Sequence, residues 1–390
     1  MPELDNFCGF ETGGLEEAQD TTNSPTVQTT TVRSGTYALK LAGAASAPTY
    51  DIAYLGTGGL TSFEVGFAFR TTTVIPTNDV DFFTGRDNLP ANLIRLRLKA
   101  TTGNVDLIDA NNAVVGTITA PFTADTWHYI ELFWQRLATG NAEVFIDDVS
   151  KLSVTSQDFE TDRALNVYRF TGDSTTAEDI YIDDYYHLRN AVVGDRYTSS
   201  FNVPRTYQDT NGGATELGNT LDTGTWANAS ETLLNETNVA TYSTSNVTGG
   251  TTTDSPSSRL GPTGGPTLGT IKGAKWIHRL KRGNGAGTTH SKRFGNSGDG
   301  LTDEVVTLTT SFANYFTISE SATQVPLATE SFQYGMKTDG AQDITAADIW
   351  AFIANVSAPG LSTDQIMAAT APPQVPQPRG RARMIPYQTV

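Results

Sequence analysis

Apolar residues recur at every second position in the first half of this chain. SFEVGFAFR sets Phe63, Val65, Phe67 and Phe69 on one side, and LIRLRLK interleaves Ile94, Leu96 and Leu98 with Arg95, Arg97 and Lys99. A period of two fits a strand with one face buried and one wet, and it does not fit a helix. TWHYIELFWQR (Thr126 to Arg136) is apolar on both parities, which predicts a central strand covered on both sides. ATTGNV, DANNAV and ATGNAE lie between such runs and supply turn chemistry. The chain is therefore expected to be all-β. At 390 residues it exceeds what one hydrophobic core usually supports.

Charge divides the chain unevenly. Residues 1–190 carry a net charge of -14, and the remaining 200 carry -2. Nucleic acid is not expected as a partner, because phosphate binding needs a basic surface. The start, MPELDNFCGFETGG, lacks a basic and then apolar leader, and nowhere do eighteen apolar residues run together, so neither signal peptide nor membrane contact is expected. A single cysteine, Cys8, excludes an intrachain disulfide and reads as a small buried hydrophobe.

GFETGG, SGTYALKL, ADTWHYIELFWQ, GNAEVFIDDV and IYIDDYYHLR together resemble a concanavalin A-like, or laminin G-like, jelly roll over about residues 3–190. VVGDRYTSSFNVP, DTGTWAN, NETNVATYST and ESFQYGMK are similar to a second β-sandwich that follows a jelly roll in tailed-bacteriophage virion proteins. The expected organisation is a jelly roll at 1–190, a second β-sandwich at 191–358 and an extended arm at 359–390. Five prolines between Pro372 and Pro386 exclude regular structure from the arm's proline-rich part. Strands are expected at GTIKGAKWIHRLKR, DEVVTLTTSF and ESFQYGMK. DIWAFIANV is read as a closing strand, with a helix capped by TAAD as the alternative.

FIDDV and IYIDDYYHL each place two aspartates in succession. Neighbours in a strand point to opposite faces, so neither pair is expected to work as a glycosidase couple. The E-x-D-x-x-E pattern of jelly-roll hydrolases is absent, His128 and His187 are isolated candidates, no catalytic residue is assigned and no enzymatic activity is expected. The FIDDV aspartates read as a hairpin turn. The jelly-roll resemblance implies a structural calcium ion at Glu11, Asp183 and Asp184, hard oxygen donors from the N-terminal and closing strands. It also offers Trp127, Tyr129, Trp134, Tyr168 and Tyr185 as a glycan-binding set, unless those rings fill the core.

Lys272, Lys275, Arg279, Lys281, Arg282, Lys292 and Arg293 fall within 22 residues free of acids. Together with Arg379, Arg381 and Arg383 of the arm they read either as solvated charge or as a surface that docks on an acidic partner. GNGAG at Gly283 to Gly287 lacks the closing Lys-Ser/Thr of a phosphate loop and is expected at a hairpin tip. The function expected is that of a non-enzymatic virion structural protein, made in the host cytoplasm, decorating a phage head or tail and anchored by its C-terminal half. Its expected partners are other virion proteins and copies of itself, a trimer by analogy. The alternatives are an adhesin that binds host surface glycan and a polysaccharide depolymerase.

Overall fold

The computed structural model describes residues 2–15, 17–53, 60–87, 91–159, 163–175 and 178–203, and beyond them the strands given below, with side chains there at Lys272 and Lys275. The described residues form antiparallel strands and no helix. No helix there is long and apolar enough to cross a membrane.

Two sheets make up the first half. One holds β1 (Glu3–Cys8), β3 (Thr26–Gln28), β4 (Ala38–Leu41), β6 (Ser62–Thr71), β11 (His128–Gln135), β12 (Gly140–Ile146), β13 (Val149–Gln157) and β15 (Ile180–Arg189). Its order is β13-β12-β11-β6-β15-β4-β3, with β1 also on β15. The other holds β2 (Asp20–Thr22), β5 (Thr49–Ala53), β7 (Val80–Arg86), β8 (Asn92–Leu98), β9 (Val105–Ile108), β10 (Val114–Ile118) and β14 (Val167–Thr171), in the order β10-β9-β8-β7-β14-β5-β2. TWHYIELFWQR forms β11, paired on both sides, as its double apolar pattern requires. The alternating apolar residues of β6 and β8 enter a shared core with Trp134, Tyr168 and Tyr185. Phe67 stacks on Phe83 and meets the edge of Phe170, arrangements that aromatic rings favour.

The second half contributes two more sheets. β16 (Phe201–Asn202), β17 (Ser243–Val247), β19 (Thr270–Arg282), β22 (Ala313–Ser319) and β24 (Gln342–Val356) form the first. β18 (Ser258–Leu260), β20 (Thr289–Asn296), β21 (Thr302–Thr307) and β23 (Phe332–Thr338) form the second. DIWAFIANV lies in β24, so it is a strand and not the capped helix. The strands before and after GNGAG, β19 and β20, belong to different sheets, and GNGAG itself, expected at a hairpin tip, lies with residues 283–288 outside the described residues. The proline and arginine arm at 359–390 lies outside them too.

The expected division at residue 190 follows the end of β15, yet residues 191–203 fold back on the first sandwich. Ala191, Phe201 and Val203, with Tyr197, form a second apolar cluster with Leu4, Phe7, Ala68, Tyr129, Phe133, Tyr186 and Leu188. β16 then joins β24, so this linking segment belongs to both halves.

Candidate functional site

The outer face of the eight-stranded sheet carries Glu64, Gly66 and Ala68 from β6, with Tyr129, Glu131 and Phe133 from β11 and Tyr186 and Leu188 from β15. Register places Gly66 between Glu131 and Tyr186. A methyl group on Gly66 would stand 2.2 Å from Cε1 of Tyr186. Glycine is therefore what lets the Tyr186 ring lie across β6 and donate its hydroxyl to Glu131 Oε1 at 2.7 Å. Arg196 reaches Glu131 Oε2 at 2.7 Å, and the Thr198 N–H donates to Oε1 at 2.8 Å.

Glu64 lies beside this group on the same face, fully buried, with no hydrogen-bond partner for either carboxyl oxygen. Burial, followed by the nearby charge of Glu131, pushes Glu64 well above the usual carboxylate range. Burial also raises Glu131, against the opposing pull of the Tyr186 hydroxyl and Arg196. The site thus sets a carboxyl group pushed well above its ordinary range beside one that faces a guanidinium, two environments that differ as acid–base pairs require. Here it lies beneath the linking segment, and Glu64, Glu131 and Tyr186 have no exposed surface.

Both aspartate pairs hold that segment. Asp147 and Asp148 have φ of 50° and 66° and join the paired residues Ile146 and Val149, the geometry of a two-residue hairpin turn. Asp147 accepts from the Tyr129 N–H at 2.8 Å and faces His128 Nδ1 at 2.7 Å. The Thr123 N–H donates to Nε2 of the same ring, which leaves the proton on Nδ1. Burial would raise Asp147, but these hydrogen bonds outweigh it and hold the carboxyl below its ordinary value. Asp148 accepts from the Ser199 N–H at 2.9 Å and from its hydroxyl.

In the second pair, strand alternation fails. β15 is bulged between Asp183 and Tyr186, and Asp184 sits at φ 46°, so both carboxylates converge on Arg33 and Ser34, Asp183 on their backbone and Asp184 on their side chains. Asp183 Oδ2 accepts from the Arg33 and Ser34 N–H groups at 2.9 and 3.2 Å. Asp184 accepts from Arg33 Nη1 and the Ser34 hydroxyl, each at 2.5 Å, and from the Val203 N–H at 2.8 Å. Arg33 continues to the carbonyls of Ser199 and Phe201. Burial, then the charge of Asp184, raises Asp183 well above its ordinary range.

Glu11 joins the same neighbourhood, but these residues do not fit a calcium ion. Glu11 accepts from the Thr36 N–H at 2.8 Å and the Tyr37 N–H at 3.0 Å, and the positive charge among the acids is Arg33 itself. Among the described residues no group of three or more His, Cys, Asp or Glu is arranged to hold a metal.

The proposed glycan surface is corrected as well. Trp134, Tyr168 and Tyr185 are core residues, and Trp134 donates to the Tyr168 hydroxyl at 3.3 Å. Tyr129 is buried on the opposite face, under the Arg33 guanidinium at 4.7 Å, and Trp127 packs half-buried beside it. His187 is buried against Phe63 and Tyr168.

Of the basic cluster, Lys275 turns inward and pairs with Glu17 at 2.6 Å, so it offers no charge to another molecule. Lys272 lies 5.4 Å over the Tyr197 ring. The side chains of Arg279, Lys281, Arg282, Lys292 and Arg293, and all of Arg379, Arg381 and Arg383, lie outside the described residues.

Glu64, Glu131, Tyr186 and Arg196 were not singled out from the sequence. The available signal was a glutamate inside each of two strands, SFEVGFAFR and HYIELFWQ, whose neighbours on both parities are apolar.

No protein-family model and no curated protein matches the chain. Solved structures similar to it include an endo-β-1,4-glucuronan lyase from Trichoderma reesei, at 15% identity over 47% of this chain and 94% of that one, TM-score 0.37. A carbohydrate esterase from the Shiga toxin-encoding bacteriophage phi24B matches at 17% identity over 49% and 98%, TM-score 0.35. The type G botulinum neurotoxin receptor-binding domain matches at 18% identity over 44% and 41%, TM-score 0.30. Structures named as enzymes thus stand among those similar to this chain, and the expectation that it is no enzyme is withdrawn. Likeness at this level assigns it no substrate.

Proposed function

We propose that this chain is a structural protein of a tailed-bacteriophage particle, attached through its C-terminal half and presenting the acidic jelly roll. One observation carries this reading. The outer face of the eight-stranded sheet is covered around Glu131 and Tyr186 by the chain's own linking segment, through Arg196–Glu131, Ser199–Asp148 and Val203–Asp184 contacts, before that segment enters the next sheet. Such a joint suits a protein that holds its outer body at a fixed position in an assembly. Copies of the same chain and neighbouring particle proteins are the partners this reading calls for. Electron microscopy of particles carrying a label at residue 1 tests it: density at regular positions on head or tail supports the proposal, and unlabelled particles reject it.

The acid, tyrosine and arginine cluster favours a second reading, in which the outer face acts on carbohydrate once the linking segment is lifted. This reading requires the intact chain to release reducing or unsaturated sugar from host capsule, and Glu131→Gln to abolish the release. Glycan-array binding without release would leave a carbohydrate-binding role.

A further inference from the structure

Lys275 of β19 enters the first sandwich beneath β1, and what it meets there is more than an ion-pair partner. Nζ lies 2.9 Å from Asn6 Oδ1, 2.9 Å from the Phe7 carbonyl and 2.6 Å from Glu17 Oε1. Lys275, Glu17 and Asn6 are 2%, 7% and 8% exposed, so all three are withdrawn from water. The Phe7 ring stands 5.9 Å from Nζ, and the Cys8 thiol donates to the other Glu17 oxygen. The Asn6 carboxamide oxygen also accepts the Phe7 N–H at 2.8 Å. An amine, a carboxamide, a carboxylate and a fixed N–H donor therefore converge in one buried place.

We propose that Lys275 and Asn6 become joined by an intramolecular isopeptide bond, with Glu17 as the group that transfers the proton. Glu17 takes a proton from Nζ, and the freed lone pair attacks Cγ of Asn6, whose oxygen is already in contact with Nζ. The Phe7 N–H faces the oxygen on which negative charge develops. Collapse of the tetrahedral centre breaks the Cγ–Nδ2 bond. Glu17 returns the proton to that nitrogen, which leaves as ammonia, and then takes the second proton that Nζ must give up to become the amide N–H. One amine and one primary amide become one secondary amide and ammonia, with no oxidant, metal or activated cofactor. Proximity supplies the drive that a bimolecular aminolysis lacks, and burial keeps water from the product. The bond would bridge residues 269 positions apart and tie β1 to the second half of the chain.

Intact-mass spectrometry of the denatured full-length protein tests this directly. The expected mass is lower than that of the sequence by one ammonia, and proteolysis yields a branched peptide containing both Asn6 and Lys275. Lys275→Arg, Asn6→Ala and Glu17→Gln should each show the full mass of their own sequences. Wild-type protein at full mass, freshly purified and after prolonged incubation, would overturn the proposal even if every variant failed to fold. So would an ammonia loss that persists in Lys275→Arg, since this would place the loss at an asparagine alone.

Discussion

Glu64 and Gly66 show what single residues contribute on the covered face. Folding raises the Glu64 pKa, so the native state binds a proton that the unfolded chain has released, and stability falls as pH climbs above the unfolded value. Below that value both states are protonated and the penalty vanishes. Glu64→Gln should therefore raise the melting temperature at pH 7 and leave it nearly unchanged near pH 4, with a ceiling of about 1.4 kcal/mol per pH unit between the two. An equal shift at both pH values would contradict this. Gly66→Ala, with its methyl group inside contact distance of Tyr186, should cost about 1–3 kcal/mol in denaturant unfolding. The Arg196–Glu131 pair is mostly buried, so Arg196→Met alone leaves a buried carboxylate uncompensated and should cost about 3 kcal/mol. The Arg196→Met/Glu131→Gln double variant should recover most of that loss, and a strictly additive double variant would count against the pairing.

Among elements, the regular strands were legible and the irregular ones were not. Alternation located β6 and β8, and apolar residues on both parities marked β11 as central, because those patterns follow directly from the pleat. The FIDDV turn was legible because aspartate tolerates the left-handed backbone of a tight hairpin. The bulge in β15 was not: no glycine announces it, and Asp184 takes positive φ where three protein contacts hold its carboxylate. That extra residue reverses the faces of the rest of the strand, turning Tyr185 inward and Tyr186 outward, so pattern reasoning placed the acids on opposite sides. The candidate site escaped notice for a related reason. Its covering comes from residues 191–203, which the sequence assigns to the second sandwich and whose apolar residues have no strand or helix period.

At the scale of the molecule, the two halves differ in charge, and Lys275 buried against Glu17 of the acidic half joins them. The Arg33 guanidinium supplies positive charge where the jelly-roll resemblance had implied calcium. Melting curves with calcium and with chelator should coincide, and a calcium-dependent rise would reinstate a metal near Glu11. The central claim is that the linking segment is a permanent part of the first sandwich's outer face. Amide hydrogen exchange tests it at Tyr197, Thr198, Ser199 and Val203, whose N–H groups donate to Tyr186, Glu131, Asp148 and Asp184. The account predicts protection comparable to that of the β11 amides, whereas exchange at the rate of an open loop would contradict it.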